Sequence, residues 1–480
     1  MTFSDIIFSD LHELFVYHLR EVLAVHFLPT LGYLFALLLM SRILTERRSH
    51  GSLLAWIMAI AFIPYVGVPL YLMLGGRKLN YMAQSKPLLP KKSADQYVED
   101  DIRPLLPPGF HGSFPVTRNN TVVMLPSGEQ AYDECMGLIE SAVSSIYVAT
   151  FILKDDDTGR ALVDAMARRA AAGVHVRLLL DAFGSMGLSS AFLSPLTEAG
   201  GGTAFFMPMM RLPFSRGRSN LRNHRKMLIV DRKAAVMGGM NLAEEYMGPF
   251  GSRDRWQDLS VRVDGPVADQ LYEIFRSDWL FASGEELEPA RPAENDHAGD
   301  GKAGHLQIIA SGPDVKADSL REAIINALYT AETRAWIVTP YFVPDQTLAE
   351  ALCMAARRGV NVTMMLPRKS NHRIADLARE MYLEQLEESG GNVLLYQPGM
   401  LHAKAMLVDD RAALLGSANM DMRSLLYNYE VGLSIHDPEV IKQVDAWMGW
   451  LTSYCRPRQG EKRRRVRFLH GVGRLFAPLL

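Results

Sequence analysis

Hydrophobic residues are distributed unevenly along the chain. Two apolar stretches without Asp, Glu, Lys or Arg lie near the amino terminus, at residues 22–41 and 53–74. Each is close to the roughly 20 residues that a helix needs to cross a bilayer. Downstream, short apolar runs alternate with stretches whose apolar residues recur at helical spacing, which is typical of βαβ units. The pattern predicts two membrane helices followed by an α/β body.

Instead of membrane helices, the two amino-terminal apolar stretches could be a cleaved signal peptide or a pair of buried core helices. A signal peptide begins with basic residues, whereas this chain begins with Asp5, Asp10 and Glu13 and has a second apolar stretch directly after the first. Prolines interrupt both stretches, and membrane helices tolerate proline better than soluble helices do. We therefore expect residues 1–80 to form a two-helix transmembrane hairpin.

The basic residues around this hairpin predict its orientation. Three arginines lie in the turn between the two stretches, and six Lys or Arg residues lie just outside the hairpin. Basic residues accumulate on the cytoplasmic side of a membrane. Both termini, and the body that follows the hairpin, are expected on the cytoplasmic side.

The α/β body contains one pattern twice. SSIYVATFI and TGRALVDAMARRAAAGVHVRLLLD predict strand, helix and strand, and AWIVTPYF and QTLAEALCMAARRGVNVTMMLP predict the same. Gly173 and Gly359 follow the two helices at the same point. A duplication of this length predicts two homologous lobes related by an approximate twofold axis. The predicted segments are a first lobe at 110–283, a polar linker at 284–305, a second lobe at 306–455 and a basic tail at 456–480.

Each lobe also contains the same set of polar residues at the same spacing. The first set is His224, Lys226, Asp231 and Asn241, and the second is His402, Lys404, Asp409 and Asn419. Strand alternation places the His and Lys of each set on one face, where both can contact one ligand. Two complete sets in duplicated lobes predict one site at the seam between the lobes.

These motifs resemble those of the phospholipase D superfamily, over about residues 110–455. The segment AWIMAIAFIPYVGVPLYLMLGGRK resembles the bacterial cardiolipin synthases in particular. The resemblance implies two phospholipase D-type α/β lobes, each a mixed sheet flanked by helices, after the hairpin. It also implies a multi-pass protein of the bacterial inner membrane that acts on phosphatidylglycerol, forms cardiolipin and needs no metal or other cofactor.

The same resemblance implies the chemical roles. One imidazole attacks phosphorus to form a phosphatidyl-histidine, and the other donates a proton to the departing glycerol oxygen. The superfamily favours His224 as nucleophile and His402 as acid, although the two near-identical motifs leave this choice open. Both lysines and both asparagines of the motifs would hold the phosphate oxygens.

Four carboxylates accompany the motifs. Asp258 and Glu430 precede matching apolar strands, and the resemblance implies that they fix the second ring nitrogen of each histidine, the alternative being ordinary surface carboxylates. Asp231 and Asp409 are counted with the active site in the superfamily. Because a carboxylate repels a phosphate, a structural role at the strand end is the preferred interpretation.

Two basic segments are candidates for lipid contact. Residues 461–480 combine a basic cluster with an apolar run, which suits either an anionic membrane surface or a disordered tail. Arg211, Arg216, Arg218 and Arg222 lie around an apolar stretch and form either a lipid seat or a solvated loop. The formal net charge of −2 gives no overall attraction for nucleic acid.

The leading functional prediction is transfer of a phosphatidyl group between two phosphatidylglycerol molecules, giving cardiolipin and glycerol. A hydrolytic phospholipase D, or a phosphatidyltransferase with another alcohol acceptor, uses the same motifs. A silent membrane scaffold is a third alternative, which the two intact His-Lys pairs disfavour. The sequence leaves open the acceptor, the acyl preference and the oligomeric state, a homo-oligomer included.

Overall fold

The computed structural model of the protein describes residues 28–45, 50–74, 86, 89, 104–106, 110–207, 221–289 and 304–458. These residues fall into two compact units, an amino-terminal helical unit that ends before residue 78 and an α/β body.

The amino-terminal unit consists of helices α1 (Leu28–Thr45), α2 (His50–Phe62) and α3 (Pro64–Leu74). The predicted stretch 53–74 is divided at Pro64, which begins α3 in the first turn, where a helix tolerates proline. Pro69 lies inside the same helix. A small core holds the unit together, formed by Ala36, Leu39, Ile43, Ile60 and Tyr71. None of the helices in the described part of the chain is both long and apolar enough to cross a membrane.

The first lobe of the body is a seven-stranded sheet with helices. Its elements are β1 (Thr121–Leu125), α4 (Gly128–Ser141), β2 (Ser145–Thr150), α5 (Asp157–Ala171), β3 (His175–Asp181), α6 (Ser190–Glu198), β4 (Gly202–Phe206), β5 (Met227–Val230), β6 (Ala234–Gly238), β7 (Ser260–Asp264) and α7 (Val267–Ser283). The strand order is β1-β7-β6-β5-β2-β3-β4. Strands β2, β3 and β4 are parallel and the other pairs are antiparallel, so the sheet is mixed.

The second lobe repeats this arrangement. Its elements are β8 (Leu306–Ser311), α8 (Ser319–Thr330), β9 (Arg334–Val338), β10 (Phe342–Val343), α9 (Gln346–Arg357), β11 (Asn361–Pro367), α10 (Arg373–Glu388), β12 (Asn392–Tyr396), β13 (Ala405–Val408), β14 (Ala412–Gly416), β15 (Met420–Asp421), α11 (Met422–Leu426), β16 (Glu430–Ile435), α12 (Pro438–Thr452) and β17 (Cys455–Pro457). The main sheet has the order β8-β16-β14-β13-β9-β11-β12-β17.

The two sheets are related strand by strand. Strands β8, β16, β14, β13, β9, β11 and β12 occupy the places of β1, β7, β6, β5, β2, β3 and β4. Gly173 and Gly359, which follow α5 and α9, both have a φ of +90°. This left-handed conformation ends each helix and favours glycine, because other residues adopt it at a cost. The duplication seen in the sequence is therefore a duplication of structure.

One hydrophobic core joins the two lobes. Apolar side chains from both sheets pack together with those of α7 and α12, including Phe275 and Met448, which are fully buried. Separate cores lie under the outer helices of each lobe. The seam between the sheets is thus a continuous interior, and side chains placed there are held rigidly.

Parts of the predicted linker and tail lie outside the described residues, namely 290–303 and 459–480. At the start of the predicted tail, β17 pairs antiparallel with β12. The second sheet therefore extends to Pro457, two residues beyond the expected end of the second lobe.

Candidate active site

The two motifs meet where the backbone crosses between the lobes. The amide of His224 donates to the carbonyl of Tyr429 at 2.9 Å, and the amide of His402 donates to the carbonyl of Gln257 at 2.7 Å. Tyr429 and Gln257 are the residues immediately before Glu430 and Asp258. Each motif histidine is therefore anchored beside the acidic residue of the opposite lobe.

The side chains of these residues also pair across the seam. His224 Nδ1 lies 3.0 Å from Glu430 Oε1, and His402 Nδ1 lies 2.6 Å from Asp258 Oδ2. Each histidine thus takes its carboxylate from the other lobe. The sequence pointed to both acids, but it gave no indication of this exchange, because sequence order places each acid nearest the motif of its own lobe.

Small residues after each motif make room for the carboxylates. A Cβ atom on Gly239 would lie 2.2 Å from Asp258 Oδ1, so only glycine allows this approach. At the equivalent place, the Ser417 hydroxyl donates to Glu430 Oε2 at 2.5 Å and accepts from the amide of Val431 at 3.0 Å. The shorter Asp therefore faces a glycine, and the longer Glu faces a serine that orients it.

Burial controls the protonation of both pairs. It lowers the pKa of His224 to about 4 and that of His402 to about 3. Burial alone would raise the pKa of Asp258, but Lys404 and His402 outweigh it and lower that pKa. The pKa of Glu430 is lowered in the same way against burial, chiefly by His224. Without substrate, both pairs consist of a neutral imidazole and a carboxylate at pH 7.

The motif lysines lie beside the histidines in the interior. Lys226 Nζ donates to the carbonyl of His224 at 2.7 Å, and Lys404 Nζ donates to the carbonyl of His402. Burial lowers the pKa of Lys404 to about 8 and that of Lys226 well below its usual value. Neither lysine is among the residues that line the cleft described next. To contact a phosphate, the ammonium groups must turn away from these internal acceptors.

Both histidines open into one cleft of about 340 Å³. Asn241 and Asn419 line it as well, so the structure brings together the His and Asn residues that the sequence singled out in both lobes. Aromatic rings support the histidines, including Phe151, whose centroid lies 5.0 Å from that of His224. Tyr246 and Trp256 lie 5.1 and 5.2 Å from His402 in the same way. Both imidazoles and both amides thus line the same cleft.

Asp231 and Asp409 lie at the opposite ends of their strands from the histidines. Asp231 accepts hydrogen bonds from the amides of Val143, Ser144 and Ser145, at 2.9, 2.7 and 2.8 Å. Asp409 accepts equivalent bonds from residues 332–334. Each Asp comes five positions after its motif lysine, across a four-residue strand, which corresponds to about 16 Å. The structure therefore does not bring these two carboxylates to the cleft.

A buried ion cluster lies behind His224, formed by Lys86, Arg225, Asp278 and Asp314, all with fully buried side chains. Arg225 Nη1 donates to Asp278 Oδ1 at 2.7 Å, and Lys86 Nζ donates to Asp314 Oδ2 at 2.5 Å. The two cations lie 5.4 and 4.8 Å from the ring centroid of Tyr429. Sequence reasoning missed this cluster. Its only signal was an arginine in the middle of a buried motif.

Two arginines also line the cleft, Arg222 and Arg423. Arg222 was one of four candidates for a lipid seat, and it lies 5.1 Å over the ring of Phe183. The other three candidates, Arg211, Arg216 and Arg218, lie outside the described residues. Arg423, four residues after Asn419, was not foreseen.

Within the described residues, no group of three or more His, Cys, Asp or Glu is placed to hold a metal ion. The cleft instead offers imidazole, amide and guanidinium groups, which are the usual protein partners of a phosphate.

Comparison with known proteins gives consistent matches. The family profile described as "Cardiolipin synthase, PLD-like domain" matches residues 136–279 and 324–452, and a profile described as "Phospholipase D-nuclease N-terminal" matches residues 23–76. Cardiolipin synthase 1 of Bacillus anthracis is 34% identical over 423 residues, covering 84% of this chain and 83% of the relative. Cardiolipin synthase A of Pseudomonas putida (strain GB-1) is 32% identical over 463 residues, covering 91% and 94%.

Among solved structures, the phosphatidylserine synthase of Haemophilus influenzae Rd KW20 has a similar fold. Its TM-score is 0.57 at 17% sequence identity, and the match covers 75% of this chain and 93% of that one. At this level of identity the likeness concerns the fold alone.

Proposed function

We propose that this chain, which belongs to the cardiolipin synthases with a phospholipase D-like domain, transfers a phosphatidyl group from one phosphatidylglycerol to another. The products are cardiolipin and glycerol. The single observation that carries the proposal is the pair of histidines that line one cleft, each with its Nδ1 held by a carboxylate from the opposite lobe. The Nδ1 contact directs Nε2, the atom that can attack or protonate, away from the carboxylate.

The reaction divides into two displacements at phosphorus. In the first, Nε2 of one histidine forms a bond to phosphorus, and the bond from phosphorus to the glycerol oxygen breaks as the other histidine gives that oxygen a proton. In the second, the hydroxyl of the acceptor lipid loses its proton to the second histidine and displaces the first from phosphorus. By resemblance to the superfamily, His224 is the nucleophile and His402 the acid and base.

A low imidazole pKa suits the nucleophile, whereas the pKa of the acid must rise before that imidazole can donate a proton. A nucleophile must be neutral, which burial ensures for His224. The acid must be protonated, and the negative charge of a bound phosphodiester raises the pKa of the imidazole beside it. Lys226, Lys404, Asn241 and Asn419 would stabilise the charge on the phosphoryl oxygens.

Product analysis tests this proposal. The purified full-length protein is incubated in detergent-lipid micelles with labelled phosphatidylglycerol, and the products are separated. Labelled cardiolipin together with an equal amount of free glycerol is the expected result. Phosphatidic acid as the sole lipid product would instead indicate a hydrolytic phospholipase D, because water and alcohols compete for the same phosphatidyl-enzyme.

We also propose that residues 22–41 and 53–74 form a membrane hairpin with the body on the cytoplasmic side of a bacterial inner membrane. Large apolar side chains on the amino-terminal helices support this, including Leu38, Phe62 and Tyr65, which are 68%, 74% and 83% exposed. Such exposed apolar surface is typical of membrane contact. Residues 461–480 would add a basic contact with anionic lipid.

A single thiol placed at Asn295 in a cysteine-free protein tests the orientation. An impermeant reagent should label it only after the cells are opened. Labelling in intact cells would contradict the orientation.

A further inference from the structure

We infer that Arg222 and Arg423 together bind the phosphate of the acceptor phosphatidylglycerol, and so select an anionic phosphodiester as the acceptor over water or a neutral alcohol. The inference rests on the proposed function and names the group that distinguishes a lipid acceptor from any other hydroxyl compound.

The position of the two arginines supports this binding role. Arg222 comes from the first lobe and Arg423 from the second, and both line the cleft that contains His224 and His402. Burial lowers the pKa of Arg222, Asp181 raises it, and the charge of Arg423 lowers it further. Two like charges in one cleft repel each other, and an anion bound there offsets that repulsion.

The two arginines depart from the symmetry between the two lobes. Arg222 precedes its motif histidine by two residues, and the residue at that place in the second lobe is Met400. Arg423 follows its motif asparagine by four residues, and the residue at that place in the first lobe is Glu245. Glu245 is itself paired with Lys154, at 2.7 Å. The His, Lys and Asn residues occur in both lobes and serve the one reacting phosphate. Arg222 and Arg423 have no arginine at the equivalent positions of the other lobe, so the pair occurs only once.

The negative charge of the acceptor lipid also favours a cationic binding site. The reacting phosphate is an anion, and an acceptor phosphatidylglycerol brings a second phosphate that is separated from its attacking hydroxyl by only one glycerol. Two phosphates this close in one cleft repel each other, and a pair of cations offsets that repulsion. Water and simple alcohols bring no second charge and need no such pair.

Two carboxylates interact with these arginines and are themselves held by backbone amides. Asp181 accepts from the amide of Asn223 at 2.8 Å, and Asp421 accepts from the amide of Ser424 at 2.7 Å. Both carboxylates interact electrostatically with Arg423. A guanidinium has five N–H donors in a planar fork, so it can pair with a carboxylate and still bind a phosphate with two parallel hydrogen bonds.

The test measures how the phosphatidyl-enzyme is divided between two acceptors. Full-length protein is incubated with labelled phosphatidylglycerol in micelles that also contain ethanol, a neutral acceptor, and the ratio of cardiolipin to phosphatidylethanol is determined. In Arg222→Gln and Arg423→Gln we expect this ratio to fall about tenfold, the effect of losing one charged contact to a phosphate. Lys442→Gln, which removes an exposed cation from α12, is the matched control and should leave the ratio unchanged.

Because the ratio compares two products of one intermediate, partial loss of folded protein does not alter it. The substitutions Arg222→Lys and Arg423→Lys keep the charge but lose the fork, and their ratios should lie between those of the wild type and the Gln variants. An unchanged ratio in both Gln variants, while the wild type makes cardiolipin, overturns this inference alone. A wild type that makes phosphatidylethanol but no cardiolipin overturns the proposed function and this inference with it.

Discussion

Lys404 is a motif residue whose charge changes with pH just above neutrality. Burial lowers its pKa to about 8, so it is charged below that pH and loses its charge as the pH rises. If the ammonium group holds the phosphate, kcat/KM for phosphatidylglycerol should fall as the pH rises through about 8, because kcat/KM reports the groups of the free enzyme.

The variant Lys404→Arg tests this assignment. Its guanidinium stays charged throughout, so the alkaline fall in kcat/KM should move to higher pH even if the overall rate is lower. An alkaline limb at the same pH in Lys404→Arg would assign that limb to another group.

The two histidines should differ in one measurable respect. His224→Ala should form no phosphatidyl-enzyme, whereas His402→Ala keeps the proposed nucleophile and should form it slowly. Each substitution should lower turnover by at least about 10³-fold, and the double variant should be little worse, because the two groups act as a unit. Acid quenching with labelled lipid, followed by peptide mapping, checks this. Label on the peptide that contains His402 would reverse the two roles.

At the scale of single residues, sequence reasoning identified the two histidines and the two acids, but not which acid pairs with which histidine, and it missed Arg423. His224, His402, Asp258 and Glu430 were all named from the motifs and the strands that follow them. The exchange of carboxylates between lobes was not, because it depends on how two sheets pack, and spacing along a strand contains no such information.

At the scale of secondary-structure elements, Asp231 and Asp409 hold the turns after β5 and β13 against the segments that precede β2 and β9. Both have left-handed backbone conformations, with φ of +52° and +50°. This explains why the spacing from His to Asp is identical in the two lobes. It reflects the length of a four-residue strand and the turn that must follow it.

We therefore expect Asp231→Ala to act mainly on stability. The lost hydrogen bonds should lower the free energy of unfolding by about 1–3 kcal/mol, while activity per folded molecule falls far less than in His402→Ala. Lys233→Ala, an exposed neighbour in the same turn, is the control and should change little. Denaturant unfolding in detergent, measured alongside activity, checks this. Lost activity with unchanged unfolding would return Asp231 to the catalytic groups.

The element pattern itself was largely predictable. Period and glycine positions indicated the repeated strand-helix-strand units, and the structure confirms a mixed-sheet α/β fold in two lobes. The division of the second apolar stretch at Pro64 shows where a rule failed, because hydropathy measures the length of an apolar run and not the continuity of the helix. The short strands β10 and β15 had no sequence signal, since two residues form no periodic pattern.

At the scale of the whole molecule, the buried ion cluster joins three distant parts of the chain. Lys86 precedes the first lobe, Asp278 lies on α7, and Asp314 follows β8 of the second lobe. Asp278→Asn would leave two buried cations with one carboxylate, and we expect the free energy of unfolding to fall by about 3–5 kcal/mol.

A second carboxylate on the same helix provides the comparison. Asp269 pairs with Arg232 at 2.9 Å in a partly exposed position, so Asp269→Asn should cost only about 0–1 kcal/mol. Urea unfolding of both variants measures the difference. Equal effects would show that the cluster does not hold the lobes together.

The exchange of carboxylates between lobes also sets a time at which the enzyme first becomes active. Glu430 is 206 residues further along the chain than His224. At a translation rate of about 5–20 residues per second, the carboxylate leaves the ribosome about 10–40 s after the histidine. His402, the partner of Asp258, is likewise synthesised late. A nascent chain therefore lacks a working dyad, and any phospholipid that it meets is exposed to the reaction only after synthesis of the second lobe is nearly complete.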